Sequence, residues 1–297
     1  MAREEESHEP ERSIGRRVWD QVGTLVLAVL IALLIRSVVV EPFRIPSGSM
    51  LPTLLIGDHL FVNKFLYGAN VPFTEIRLPA VRDPERGDIV VFVVGREGDA
   101  IIPVDRRPDL PREDFVKRIV GLPGDRVEVR NKVLYVNGER IEAEGTGEAF
   151  QDEYRRPLEV EREFLLGCEH EILEDPNSPI GNPVDRMPPY VVPPGRYFMM
   201  GDNRSHSRDS RSWGTVRREE MKGPAFLLYW SWNVKGNFLQ FFNPLNWWSA
   251  EKRWGRIFQT VGCESATPAE APGPAASGAR RENETAFSSA VEYADGD

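Results

Sequence analysis

Cysteine is nearly absent from this chain: among 297 residues only Cys168 and Cys263 occur. There is no Cys-x-x-Cys pair and no His-Glu-x-x-His, and the four histidines are scattered. A disulfide scaffold, a thioredoxin-type redox motif and a zinc site therefore lack their ligands. No metal and no cofactor is expected. The two cysteines suit either a pair in an oxidising compartment or two buried thiols. A basic excess is also missing. The net charge is −9, and no basic stripe with interleaved aromatics appears, so nucleic acid is not an expected partner. About half of that charge sits after position 262, where seven acids face two arginines. The regular alternation of strand-like and helix-like segments expected of a doubly wound sheet is absent as well.

Long apolar runs are rare, and one stands out. Residues 22–40 carry a single charge, Arg36. As a helix they would extend roughly 28 Å, close to the hydrocarbon thickness of a bilayer. Arg36 lies near one end, within snorkelling reach of headgroups. Arg12, Arg16 and Arg17 flank the other end, which predicts a cytoplasmic N-terminus. A cleaved leader would be followed by a small-x-small site, but here the chain continues Val-Val-Val-Glu-Pro-Phe-Arg. The expected organisation is a cytoplasmic segment over 1–20, a transmembrane anchor over 21–41, an extracytoplasmic β domain over 42–261, and a disordered acidic tail over 262–297. That topology predicts a single-pass protein of the plasma (inner) membrane, with the bilayer as a partner.

Past the run the pattern becomes short and β-like. Residues 58–64 partly alternate, and 88–94 form a continuous β-branched and aromatic run suited to a strand buried on both faces. Residues 115–120, 126–129, 132–136 and 197–200 read as further strands, with a hairpin signal at Asn137-Gly138. The fold class expected is mainly β: an antiparallel catalytic body with an inserted smaller β region over 139–190, preceded by one membrane helix. Residues 226–248 are rich in aromatics but broken by Lys235, Gly236 and Pro244, which suits core packing or the membrane surface rather than a span.

Three segments carry candidate chemistry. Pro46-Ser-Gly-Ser-Met-Leu-Pro-Thr-Leu54 holds two serines in a turn stiffened by prolines. Nucleophilic acyl chemistry needs a serine presented in this way; an ordinary turn has the same composition. A serine needs a base. His59, His170 and His206 have no recognisable triad setting. Lys117 lies in an apolar strand, where burial would lower its pKa, although a strand-edge lysine reaching solvent fits the same pattern. The third segment, 201–214, is a polar loop in which Asp209 and Arg211 are spaced to pair.

Taken with Arg86-Gly-Asp-Ile-Val-Val-Phe92 and Lys117-Arg-Ile-Val-Gly-Leu-Pro-Gly-Asp125, the first segment and Gly201-Asp-Asn-Arg…Ser-Arg-Asp-Ser-Arg…Trp-Gly214 resemble the boxes of the bacterial type I signal peptidases. The boxes stand in that family's order after an N-terminal apolar segment, and the resemblance covers roughly 41–214, the insertion excepted. It implies a membrane-bound serine endopeptidase that removes signal peptides from exported preproteins at small-x-small sites. It implies Ser49 as nucleophile and Lys117 as general base, in a Ser/Lys dyad without histidine. Ser47, with the Ser49 N–H, would form the oxyanion hole. Ser207 would orient the lysine amine, with Asp209, Arg211 and Arg118 in support. Phe43, Ile45, Pro46, Met50, Phe115 and Val116 would line pockets for small side chains. Ser205-His206 stands where some members have Asp-Asn, and one spanning segment is visible where some have two. A dedicated maturation peptidase with few substrates is the alternative within this class. An inactive tethered β scaffold that binds exported proteins is the alternative outside it. Ser49 would lie at most about 30 Å from the end of the apolar segment, where a signal peptide presents its cleavage site.

Overall fold

The computed structural model describes residues 14–69, 74, 76–178, 182–233 and 251–265. Residues 1–13, the 234–248 part of the 226–248 aromatic stretch and the tail after 265 lie outside the described residues. A separate unit over 266–297 falls entirely there.

One helix, α1 (Ile14–Val38), leads into the strands. In chain order these are β1 (Val40–Arg44), β2 (Asp58–Asn63), β3 (Ile89–Glu97), β4 (Ala100–Ile102), β5 (Arg112–Gly121), β6 (Arg126–Arg130), β7 (Val133–Val136) and β8 (Glu139–Arg140). Then follow β9 (Ala143–Gln151), β10 (Pro157–Leu165), β11 (Cys168–Glu174), β12 (Arg186–Val191), β13 (Arg196–Met200), β14 (Val216–Arg217), β15 (Met221–Asn233), β16 (Glu251–Lys252) and β17 (Glu264–Ser265). A four-residue helix, α2 (Ser210–Trp213), sits in the polar loop. Every strand pairing among the described residues is antiparallel.

The main sheet runs β1-β2-β15-β3-β5-β13-β14, with β16 on β15 and β4 on β3. Its central members are the apolar runs, because a strand covered on both faces gains by being apolar on both. β3 is buried from Ile89 to Phe92, whereas β2 alternates buried and half-buried side chains. A second sheet, β12-β6-β7-β8, closes at Asn137-Gly138. Both residues have positive φ (56° and 85°), as a two-residue hairpin turn requires.

The 139–190 region is more organised, and bounded differently, than its polar composition suggests. β9, β10 and β11 form a third sheet with β17, while β8 and β12 belong to the second. Leu158, Val160 and Leu173 of the third sheet pack with Leu51 of the Pro46–Leu54 segment. β10 buries Leu158 and Val160, then, past an irregularity in its pairing with β9, Glu163 and Leu165, and this broken alternation is hidden in the sequence by glutamates on its outer face.

The two cysteines form a disulfide, Cys168–Cys263, which ties the 251–265 segment to β11. Among the described residues no helix is long and apolar enough to cross a membrane. The described side chains of α1 run unbroken only from Gln21 to Leu33, and there the large apolar ones face outward: Leu25 is 65% exposed and Leu30 58%.

Candidate active site

The Pro46–Leu54 segment closes into a 3₁₀ turn, Gly48–Met50, entered from an extended Ser47 (φ −137°, ψ 159°). The turn is held from below by apolar burial. Ile45, Met50 and Leu54 are fully buried with Leu60, Val62, Ile89, Val91 and Val116. Each such side chain contributes about 1.5–3 kcal/mol relative to exposure. From the side, the Gly201–Asn203 loop clamps it. Asn203 N–H donates to Ser49 O at 3.2 Å, Asn203 Nδ2 to Gly48 O at 3.0 Å, and Thr53 Oγ1 to Asp202 Oδ2 at 2.6 Å. Ser49 Oγ is thus presented outward on a turn that cannot easily shift. As a first-turn group, the Ser49 N–H has no acceptor within the turn.

Lys117 reaches the same point from β5. Its Nζ lies 2.6 Å from Ser49 Oγ and donates to Val116 O at 3.0 Å. Among the described residues it is the only side-chain nitrogen within hydrogen-bond distance of that hydroxyl. β5 lies between β3 and β13 in the order of the main sheet, and Lys117 is 2% exposed. Its ammonium cannot reach solvent, and burial lowers its pKa from 10.5 to about 8. Asp209 and Asp202 pull the value back up and Arg211 pushes it down further, all as smaller effects.

Behind the lysine lie two buried ion pairs. Arg211 grips Asp209 through Nε–Oδ1 at 2.9 Å and Nη2–Oδ2 at 2.8 Å. Burial pushes the Asp209 carboxyl up, but Arg211 and the Gly201 N–H more than offset this and hold it below its ordinary value. Arg118, next to Lys117 but on the opposite face of β5, binds Asp202 bidentately at 2.8 and 2.7 Å, both side chains wholly buried. Burial pushes the Asp202 carboxyl up, but Arg118, His170 and the Thr53 hydroxyl together more than offset this and hold it low. This pairing anchors the clamp that holds the Ser49 turn. A third pair, Arg204–Glu163, joins the loop to β10.

A groove of about 450 Å³ opens over Ser49 and Lys117. Phe43, Pro46, Ser47, Phe115 and Val116 are among the residues that line it. Ile45 and Met50 do not; both are fully buried in the core behind the wall. β13 pairs with β5 only from Arg118 to Gly121, so the Glu113–Lys117 edge faces the groove without a partner strand among the described residues. Ser207 is buried beside Gly201 and close enough to Asp209 to help hold that carboxyl low, but among the described residues no hydrogen bond joins its Oγ to Lys117. His206 lines the groove and is engaged by Asp175 and Arg156, both at 3.0 Å, while His59 meets Tyr229 and His170 lies between Glu163 and Cys168. The sequence reading had no role for Thr53, Asp202, Asn203 or Glu163. The Gly-Asp-Asn run at 201–203 was the signal available for Asp202 and Asn203. Among the described residues no cluster of acidic, histidine or cysteine side chains could hold a metal.

Comparison with known proteins gives a consistent match. The family model described as "Signal peptidase, peptidase S26" matches residues 18–230. The chain is 39% identical to a signal peptidase I of Pseudomonas fluorescens over 215 residues, 69% of each chain. It is 35% identical to that of Buchnera aphidicola subsp. Schizaphis graminum over 251 residues (73% of this chain, 76% of the other). It is 32% identical to that of Rickettsia massiliae over 240 residues (76% and 80%). A crystal structure of a signal peptidase I from Enterococcus faecalis V583 is 27% identical, covering 48% of this chain and 97% of that one, with a TM-score of 0.26.

Proposed function

Since the chain belongs to the signal peptidase family, peptidase S26, and is a serine endopeptidase, we propose that it removes signal peptides from exported preproteins through a Ser49/Lys117 dyad and an acyl-enzyme. The observation that carries this reading is the 2.6 Å approach of a buried lysine amine to a serine hydroxyl at the floor of an open groove. With a pKa of about 8, about a tenth of Lys117 is neutral at pH 7, which suffices for a base matched to its working pH.

Neutral Lys117 takes the Ser49 proton as Oγ attacks the scissile carbonyl. The carbonyl oxygen becomes the oxyanion, held by the Ser49 N–H and the Ser47 hydroxyl, each worth about 3 kcal/mol of barrier. The intermediate collapses as protonated Lys117 passes its proton to the leaving amine. The lysine, neutral again, activates the water that hydrolyses the ester. Asp209, Arg211 and Arg118 keep the amine and the Ser49 turn in register, and Ser207, buried beside Gly201, orients the amine once substrate tightens the site. The unpaired β5 edge suits an extended peptide added as a strand. The groove wall of Phe43, Pro46, Phe115 and Val116 suits small side chains before the cut, with Ile45 and Met50 setting its depth from behind.

The anchor belongs to the same proposal. The outward apolar face of α1 is not buried by any of the described residues, and a bilayer would cover it. We read 1–20 as cytoplasmic, 21–41 as spanning the plasma membrane once, and 42–261, with its 139–190 insertion, as the extracytoplasmic catalytic domain. The test uses full-length protein in detergent and a precursor with an Ala-x-Ala site, with sequencing of the new N-terminus. Cleavage after the second alanine by the wild type, and none by Ser49→Ala, is expected. Binding without turnover by the wild type would favour the scaffold. Cleavage confined to one natural precursor would favour the narrow maturation peptidase.

A further inference from the structure

Three carboxylates line the groove: Glu113, Asp114 and Glu153. Two have cations. Glu113 faces Arg96 at 3.3 Å and Asp114 binds Lys222 at 2.7 Å. Glu153 has no cation and no hydrogen-bond donor among the described residues, yet it stands beside the nucleophile. Its two carboxylate oxygens lie 3.1 and 3.2 Å from where a Cβ on Gly48 would be, between Ser47 and Ser49.

The tip that carries Glu153 is rigid. Between β9 and β10 the chain turns around Asp152, which is buried and accepts N–H bonds from Tyr154 (3.0 Å) and Arg156 (2.8 Å). The same carboxylate takes the Arg156 Nε at 2.6 Å, so that cation is already paired. Arg156 also stacks 4.9 Å over Tyr154 and meets His206. Glu153 is therefore a carboxylate on this tip with no paired cation among the described residues.

The side of the cut follows from the chain path. β1 leaves α1 at Val40 and runs outward past Phe43, and the turn at Gly48 comes after it. On the anchored reading above, a precursor held in the membrane by its apolar segment would meet the Phe43 and Phe115 wall before the scissile bond and leave past Gly48 after it. We propose that Glu153 is a specificity-determining residue for the first two positions of the released protein, favouring a basic residue there and disfavouring an acidic one. This inference rests on the peptidase reading above.

The test uses full-length protein in detergent and precursors identical through the Ala-x-Ala site. They carry Ala, Lys or Glu at the first or second released position. The readout is the Lys/Glu ratio of kcat/KM within each protein. A rim charge of this kind is expected to give a ratio of about five or more in the wild type. The ratio should fall to about one in Glu153→Gln, invert in Glu153→Lys, and shrink toward one in molar salt, where the screening length is about 3 Å. Equal rates on the Lys and Glu precursors in the wild type, or a ratio unmoved by Glu153→Gln, would overturn the proposal. The Ala precursor keeps the two readings apart: its failure to be cut removes the peptidase premise, whereas a cut Ala precursor with a flat ratio removes only the role of Glu153.

Discussion

Replacing Lys117 by methionine should abolish cleavage and yet make the folded protein more stable at neutral pH. The lysine is held in the core with its pKa lowered from 10.5 to about 8, with desolvation as the main cause. That displacement, at 1.36 kcal/mol per pKa unit, corresponds to about 3 kcal/mol by which the charged form is disfavoured on folding. The sign follows from linkage. Below about pH 8 the lysine is protonated both folded and unfolded, so the full penalty applies. Between 8 and 10.5 only the unfolded chain holds the proton and the penalty fades; above 10.5 both forms are neutral and it is gone. Methionine has a similar length and no charge. It forfeits the contacts to Ser49 Oγ and Val116 O, each worth about 0.5–1.5 kcal/mol. The net expectation is a gain of about 1–2 kcal/mol at pH 7 that disappears above pH 10. Urea unfolding of wild type and variant, measured at pH 7 and pH 10.5 and compared as a difference, reads this directly. A variant equally or less stable at pH 7, or a difference that does not change with pH, would refute a desolvated lysine at this position. Appreciable cleavage by the folded variant would mean that another group is the base.

Wild-type kcat/KM should rise with pH through an apparent pKa near 8 as Lys117 loses its proton; a rate flat from about pH 5 to 9 would contradict a lysine base. Asp202→Asn leaves the wholly buried Arg118 guanidinium without its carboxylate, and urea unfolding should show a loss of about 3–5 kcal/mol. Reducing Cys168–Cys263 opens a link spanning 95 residues. On the chain-entropy account the urea midpoint should fall by the equivalent of about 3–5 kcal/mol, read with and without reductant. Gly201→Ala would put a Cβ 2.4 Å from Ser49 O and 2.3 Å from Ser207 Oγ. The nucleophile turn must then shift, and kcat should drop by about 100-fold, the scale of a 1 Å misplacement, with the circular dichroism spectrum retained.

Much of this protein is local and can be read from the chain. The strand at 88–94 declares itself because burial on both faces demands an unbroken apolar run, and β3 occupies that stretch. The hairpin at Asn137-Gly138 declares itself because few residue pairs tolerate two positive φ angles. The inserted sheet is less legible. On β10 only one face is buried, and its other face carries Glu159 and Glu161, so the alternation is lost in an acidic composition.

The candidate site divides in the same way. Ser49 and Lys117 could be singled out because a stiffened Ser-Gly-Ser turn and a lysine inside an apolar strand are locally unusual. Whether that lysine meets solvent or serine was not local. The pairing of β5 with β3 and β13, and a contact across 68 residues of chain, make it a buried amine 2.6 Å from Ser49 Oγ. The cysteine pair, the Arg118–Asp202 lock and the unpaired Glu153 beside Gly48 are likewise invisible in spacing. Residue type and periodicity report what a segment can do; the desolvation and charge pairing that decide what it does come from neighbours distant in the chain.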